Sequence, residues 1–396
     1  MLKVVSKSEA VQTVLEATAA STMPTEHIAL SAACGRVTAA DIVAAEDIPA
    51  FDRSTVDGFA LCAADTFGAS AAIPAQLDIA GEILMGECTP LHLKRGQCAH
   101  IATGGMLPQG ADAAVMVEHT DSQSGLCLVY QSVSPFENIT KKGDDITAGT
   151  AAIAQHTLLT PAHIGILAAL GVEEVPVLKK PVVAIISTGD EISTAPALGQ
   201  IRDVNGPLLS AALEAAGCRA LYFGALKDDR EKITQALAQC LEQADAVLIS
   251  GGSSAGSRDM TVDILDTLGE VYFHGIAMKP GKPTIFGMAR GKAVFGLPGH
   301  PLAAYFVYRL IVKPYFDSLL QQAPAAPLFT ATLAQNVPSN HGREEYLCVK
   351  KEGESIVPIH SKSGIISILS AADGFICVPR DAEGLAAGTQ VEVWKL

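Results

Sequence analysis

The stretch SGGSSAGSRD, Ser250 to Asp259, lies between the apolar run DAVLI and the helical pattern MTVDILDTL. A strand, a loop of small residues and a helix leave a cup of backbone N–H groups, which suits an anion. Ser250, Gly251, Gly252 and Ser254 are its candidate lining. A second apolar run, VVAIIS, delivers STGDE, Ser187 to Glu191. If the two strands are parallel, both loops reach the carboxyl edge of one sheet, where open α/β sheets bind ligands. Acidic residues gather there: Asp190, Glu191, Asp228 and Asp259. Carboxylates beside a phosphate site hold Mg²⁺, a hard ion that bridges carboxylate and phosphate oxygens. Helix capping is the competing use, for Asp228 or Asp229 ahead of EKITQAL and for Asp259 ahead of its helix. It does not account for Glu191.

Cations follow in MKPGKP, where Lys279 and Lys282 flank a Pro-Gly turn that ends at Pro283. Two ammonium groups held close together point to a small oxyanion or phosphate. GLPGHP repeats the device ahead of another helix, with His300 in the turn. In the N-terminal half, AFDRSTVDGFA places Asp57 before a glycine, a simple turn taken alone.

These positions need a scaffold. A chain of 396 residues is too long for one ordinary core. Its formal charge of −14 argues against nucleic acid and anionic membranes as general partners, and leaves room for a local basic pocket. Nine cysteines, an odd number with no C-x-x-C, read as reduced thiols in a cytoplasmic protein. No run approaches the ~18 apolar residues of a membrane span.

Residues 3–20 pattern as an amphipathic helix, and TEHIALSAACGRV as a second helix ending at Gly35. Short alternating runs broken by glycine and proline, from about 45 to 150, read as β-rich. Strands and helices then alternate at a spacing of 25–35 residues, the pattern of an open parallel sheet. Runs such as LFTATLA, YLCVKK and QVEVWKL read as a small β domain. The expected fold class is therefore α/β multidomain. A doubly wound central α/β domain over 179–322 follows a helical and β-rich region over 1–178, in two subdomains and expected to be discontinuous, and precedes a small β domain over 323–396.

Seven stretches in register carry a resemblance over nearly the whole chain: IPAFDRSTVDGFA, TGGMLPQGADAAVMVE, KKGDDI, STGDEI, SGGSSAGSRD, MKPGKP and GLPGHP. Together they resemble the MoeA-type molybdopterin molybdenumtransferases, the group that includes the E domain of gephyrin. The resemblance implies a molybdopterin-binding type of central domain in an elongated homodimer, with the active site between one protomer's α/β domain and the other's N-terminal region. It implies Mg²⁺-dependent insertion of molybdate into adenylylated molybdopterin with release of AMP. Matching positions assign activity to Asp57, Thr103, Asp145, Glu191, Asp228 and Asp259, the last three also as Mg²⁺ ligands. They assign oxyanion holding to Lys279, Lys282, Arg343 and Ser363. Thr140, Ser257, Arg258 and His300 depart from the family pattern near the anion path, which leaves tungstate open beside molybdate. Transient partners would be a molybdopterin adenylyltransferase and the apoenzymes that receive the cofactor. Adenylyl transfer from ATP and a non-enzymatic scaffold are the other readings.

Overall fold

The computed structural model describes residues 4–251, 255–359 and 364–396, and only the backbone over 255–259. The first helix, Lys7–Ala17, starts on a capping box in which Ser6 and Glu9 satisfy each other's backbone N–H groups. Ala10 and Val14, one turn apart, are its buried face. Although first in the chain, this face packs into the core of the central domain with Val183 and Leu209.

The expected second helix is not formed. Thr25–Ala29 is a strand, followed only by a 3₁₀ turn at Leu30–Ala32. The strand pairs antiparallel with Glu174–Leu178, with His27 opposite Pro176. Its residues alternate between exposed and half-buried, a period of two that the longer apolar pattern conceals. A partner strand almost 150 residues away in sequence decided the outcome over local propensity.

The β-rich region is a six-stranded sheet in the order Ala113–Met116, Gly58–Leu61, Gln97–Ile101, Ala75–Ile83, Leu126–Val129, Thr120–Gln123. Strand alternation gives it two apolar faces. Phe59 and Leu61 pack with Leu77 and Val115 on one side, and Ala60 packs with Ile83 and Ile101 on the other. Gly58 is forced by close approach, since a Cβ there would lie 1.8 Å from the Val115 carbonyl oxygen.

The central sheet runs Arg219–Leu226, Val182–Thr188, Ala246–Gly251, Lys292–Leu297, Ile285–Ala289, Gly269–His274. The first four strands are parallel, Ile285–Ala289 runs antiparallel to them, and the edge strand Gly269–His274 is antiparallel to Ile285–Ala289. Val182–Thr188 and Ala246–Gly251 are buried on both faces, so they read as continuous apolar runs. Ile185 and Leu248 face one layer with the helix Asn205–Ala215 and the long helix that starts at Pro301. Ile186 and Val247 face the other, under the helices Arg230–Gln243 and Ala255–Leu268. The long helix continues through a π turn at Tyr308–Val312 to Lys313–Leu319.

In the C-terminal sheet Glu344–Glu352 pairs with Ser355–Pro358 and with Gly374–Val378. One strand of this sheet comes from the central part of the chain. Met278–Lys279 pairs parallel with the start of Glu344–Glu352, placing Lys279 beside Glu345. Backbone hydrogen bonds thus fix the lysine turn against the C-terminal domain. No helix among the described residues is long and apolar enough to cross a membrane.

The Gly58→Ala variant is expected to lose about 3 kcal/mol of stability, because its methyl group must displace a neighbouring strand. Denaturant unfolding followed by circular dichroism checks this. A loss below about 1 kcal/mol would show that the strand yields freely.

Candidate active site

At the carboxyl edge of the central sheet, Thr188 and Gly251 end adjacent parallel strands. Gly251 has φ +142°, and a Cβ on it would lie 2.0 Å from the Thr188 carbonyl oxygen. Only glycine lets the two strand ends close this tightly. Ser250, just before it, is buried. The Asn205 amide nitrogen donates to Ser250 Oγ at 2.8 Å and to the Gly299 carbonyl at 2.8 Å. One side chain therefore ties the glycine loop to GLPGHP. Asn205 is 6% exposed, and its Oδ1 is buried without a partner among the described residues.

Asp203 organises the next layer. It accepts from Ser187 Oγ at 2.6 Å, from the Gly206 backbone at 3.1 Å and from the Tyr222 hydroxyl. Burial, helped by Asp203, pushes the Tyr222 phenol up to about 12. Sequence reasoning missed both Asp203 and Asn205. The signal was the polar run RDVNG, which leads into the first turn of the apolar helix Asn205–Ala215.

The structure separates Asp228 from the capping role. Asp229 is the N-cap, accepting from the Glu231 and Lys232 backbones at 3.1 and 3.2 Å. Asp228 is free of that duty, and its Oδ1 is buried with no partner among the described residues. Its backbone N–H donates to Asp190 Oδ1 at 3.3 Å. Burial holds the Asp228 carboxyl above the usual range, Asp190 and Glu191 push the same way, and Lys227 opposes them. Lys227 is occupied with the carbonyls of Asp190 and Ile192. Glu191 is folded over Gly189, since a Cβ there would meet both carboxylate oxygens at 2.8 Å. Asp259 does not precede its helix as expected. The helix begins at Ala255, so Asp259 lies in its second turn. The small residues after the glycine loop start the helix earlier than its apolar pattern does.

These are hard oxygen donors, the kind that Mg²⁺ takes. An orphaned buried carboxylate oxygen beside two further carboxylates is a set of hard donors with excess negative charge. Among the described residues no three acidic, His or Cys side chains are gathered closely enough to hold a metal ion alone. Glu191 and Asp228 would hold it together with Asp259, whose side chain lies outside the described residues, or with substrate oxygens.

The cations occupy a neighbouring cleft of about 760 Å³ between the central and C-terminal domains. Lys279, Lys282, Pro283, His300 and Arg343 all line it. So does Glu345, which sequence reasoning missed. Glu345 Oε1 lies 2.6 Å from Lys279 Nζ, and Ser339 Oγ donates to Oε2 at 2.7 Å. Its signal was the alternation in GREEYL, which places Arg343, Glu345 and Leu347 on one face. Ser363, Gly252 and Ser254 lie outside the described residues.

Asp57 and Thr103 sit in the β-rich region and are joined, with the Thr103 N–H donating to Asp57 Oδ1 at 2.7 Å. Asp145 is exposed on a loop whose backbone donates to the Ile48 carbonyl at 3.0 Å. Among the described residues, no hydrogen bond or ion pair of Asp57, Thr103 or Asp145 reaches the central sheet or the cleft. The expected residues thus fall into three groups. Asn205 ties the glycine loop, whose strand end lies beside Thr188, to the cation cleft at Gly299, while the N-terminal group shares no hydrogen bond or ion pair with either among the described residues.

The raised Asp228 carboxyl has a consequence for stability. A proton on it favours the fold fully below the ordinary carboxylate range, and that contribution is lost as pH rises through the raised value. In metal-free buffer Asp228→Asn should melt higher than the native chain at pH 7, with the gap closing as the pH falls towards 4. A variant that melts lower at pH 7 would contradict this account.

The model of the MoeA N-terminal region (domains I and II) matches residues 5–171. The model of a probable molybdopterin-binding domain matches 184–318, and that of the MoeA C-terminal region (domain IV) matches 330–396. The molybdopterin molybdenumtransferase of Bacillus subtilis is 33% identical over 383 residues, covering 93% of this chain and 89% of that protein. The protein of the same name from Staphylococcus aureus is 32% identical, covering 94% and 91%. A crystal structure of the molybdopterin biosynthesis MoeA protein from Pyrococcus horikoshii superposes with a TM-score of 0.82 at 31% identity, covering 98% of this chain and 99% of that one. Three consecutive domain matches and relatives of this identity over almost the full length show that the chain belongs to the MoeA family.

Proposed function

We propose that this chain is a molybdopterin molybdenumtransferase of molybdenum cofactor biosynthesis, inserting molybdate into adenylylated molybdopterin with Mg²⁺ and releasing AMP. The observation that carries the reading is the pairing of opposite sites. A carboxylate edge with an orphaned oxygen sits at the same sheet edge as the glycine loop, and Asn205 ties that loop to a cleft lined by Lys279, Lys282 and Arg343. The relatives named for this activity support it.

The residues divide the work by charge. The helix Ala255–Leu268 follows the strand Ala246–Gly251, so its amino end lies at the sheet edge, where its backbone N–H groups would receive a substrate phosphate. Lys279, Lys282 and Arg343 draw the metal oxyanion into the adjacent cleft. Two anions that repel in water are thereby oriented at close range. Glu191 and Asp228 would hold Mg²⁺, which when bound draws charge from phosphate oxygens as AMP departs.

Asp57, Thr103 and Asp145 enter through a second copy. Among the described residues no hydrogen bond or ion pair joins them to the cleft within one chain, and the apolar side chains of Met85 and Val117 are exposed beside Asp57 and Thr103. In a homodimer the partner's N-terminal region would bring them to the site.

AMP release from adenylylated molybdopterin should require both Mg²⁺ and molybdate, and release without oxyanion would contradict the reading. Glu191→Gln should slow it by about 10²-fold or more, the loss seen for a preorganised electrostatic group. Lys279→Ala should raise the half-saturating molybdate concentration about tenfold. Mixed Asp57→Asn and Glu191→Gln chains should recover about a quarter of native activity, since half of randomly formed dimers are mixed and each holds one intact site. No recovery from confirmed mixed dimers would place each site within a single chain.

A further inference from the structure

We propose that Glu345 is a positioning residue for Lys279 and an internal counter-charge that keeps the metal oxyanion loosely held. The inference rests on the reading of the cleft as the oxyanion site.

Among the described residues that line the cleft, Lys279, Lys282 and Arg343 carry positive charge and Glu345 alone is acidic. An acidic residue in an anion-collecting cleft opposes its own function unless it does something else. The Glu345 side chain is 7% exposed, and a buried carboxylate is costly unless both oxygens are satisfied. Here one accepts from Ser339 Oγ at 2.7 Å, and the other lies 2.6 Å from Lys279 Nζ. Strand pairing of Lys279 with Glu345 sets this contact through the backbone, so it does not depend on rotamer choice alone.

Two effects follow. Lysine has a long flexible stem and three donors on its ammonium. Fixing one donor on Glu345 fixes the direction of the other two, and Lys279, at 46% exposed, presents them to the cleft. The same carboxylate subtracts one unit of charge from a site that receives a dianion. The oxyanion must be surrendered to the sulfurs of the substrate. Holding it more tightly before reaction lowers the concentration needed for saturation without speeding the chemistry. A counter-charge built into the wall gives Lys279 a fixed direction while leaving the hold on the anion weak.

The test is isothermal titration of the full-length protein with tungstate and with molybdate. Glu345→Gln keeps the side chain's shape and removes its charge. Its Kd for both oxyanions is expected to fall about tenfold or more, the scale of one nearby charge acting on a dianion. In turnover, the half-saturating molybdate concentration should fall with Kd while the rate at saturation drops. A folded Glu345→Gln protein with unchanged or weaker oxyanion binding would overturn the proposal. Should that variant fail to fold, Ser339→Ala serves instead. It leaves Glu345 leaning on Lys279 alone and should raise Kd about threefold, and an unchanged Kd would overturn the proposal equally. Native protein that binds neither oxyanion would refute the reading of the cleft itself. Native binding weakened by Lys279→Ala but untouched by Glu345→Gln would refute only the role of Glu345.

Discussion

Like charges held close together repel, and the molecule does this twice within one region. Asp190, Glu191 and Asp228 crowd one strand edge, and burial worsens the repulsion felt by Asp228. Lys279, Lys282 and Arg343 share the adjoining cleft. A fold tolerates such clusters when the backbone holding them is rigid and opposite charges relieve them, as Lys227 does beside Asp228 and Glu345 beside Lys279. Both clusters sit on strand ends and tight turns rather than on free loops. Such rigid support is what a binding site built from clustered charges requires.

The rigidity has identifiable sources. Gly251 permits contact between strand ends that any Cβ would block. Asn205 spans two loops with a single amide nitrogen. Lys279 is stitched by main-chain pairing to a strand of another domain. Each device lies at a junction between elements, so movement of the C-terminal domain would carry Glu345 and Arg343 with it and alter the cleft's charge. The site is thus coupled to domain arrangement through backbone hydrogen bonds.

How much of this was legible in the sequence depends on the range of the interaction. The central strands were clear because burial on both faces makes them continuous apolar runs, as in VVAIIS and DAVLI. The lysine turn and the glycine loop declared themselves by local composition. The stretch TEHIA misled because its fate rests on Glu174–Leu178, far along the chain. Asn205 and Glu345 were missed for the same reason. Each is an ordinary polar residue locally, and gains meaning only when folding brings Gly299 or Lys279 beside it. Between Asp228 and Asp229 the sequence left the cap open, and geometry resolved it, freeing Asp228 for other work.

The account stands or falls on where a metal oxyanion sits. Crystals soaked in tungstate and measured at the tungsten absorption edge would show this directly. The account predicts one strong anomalous peak in the cleft, within contact of Lys279, Lys282 and Arg343. A cleft without a peak at saturating tungstate, or a peak held only by surface groups elsewhere, would contradict it.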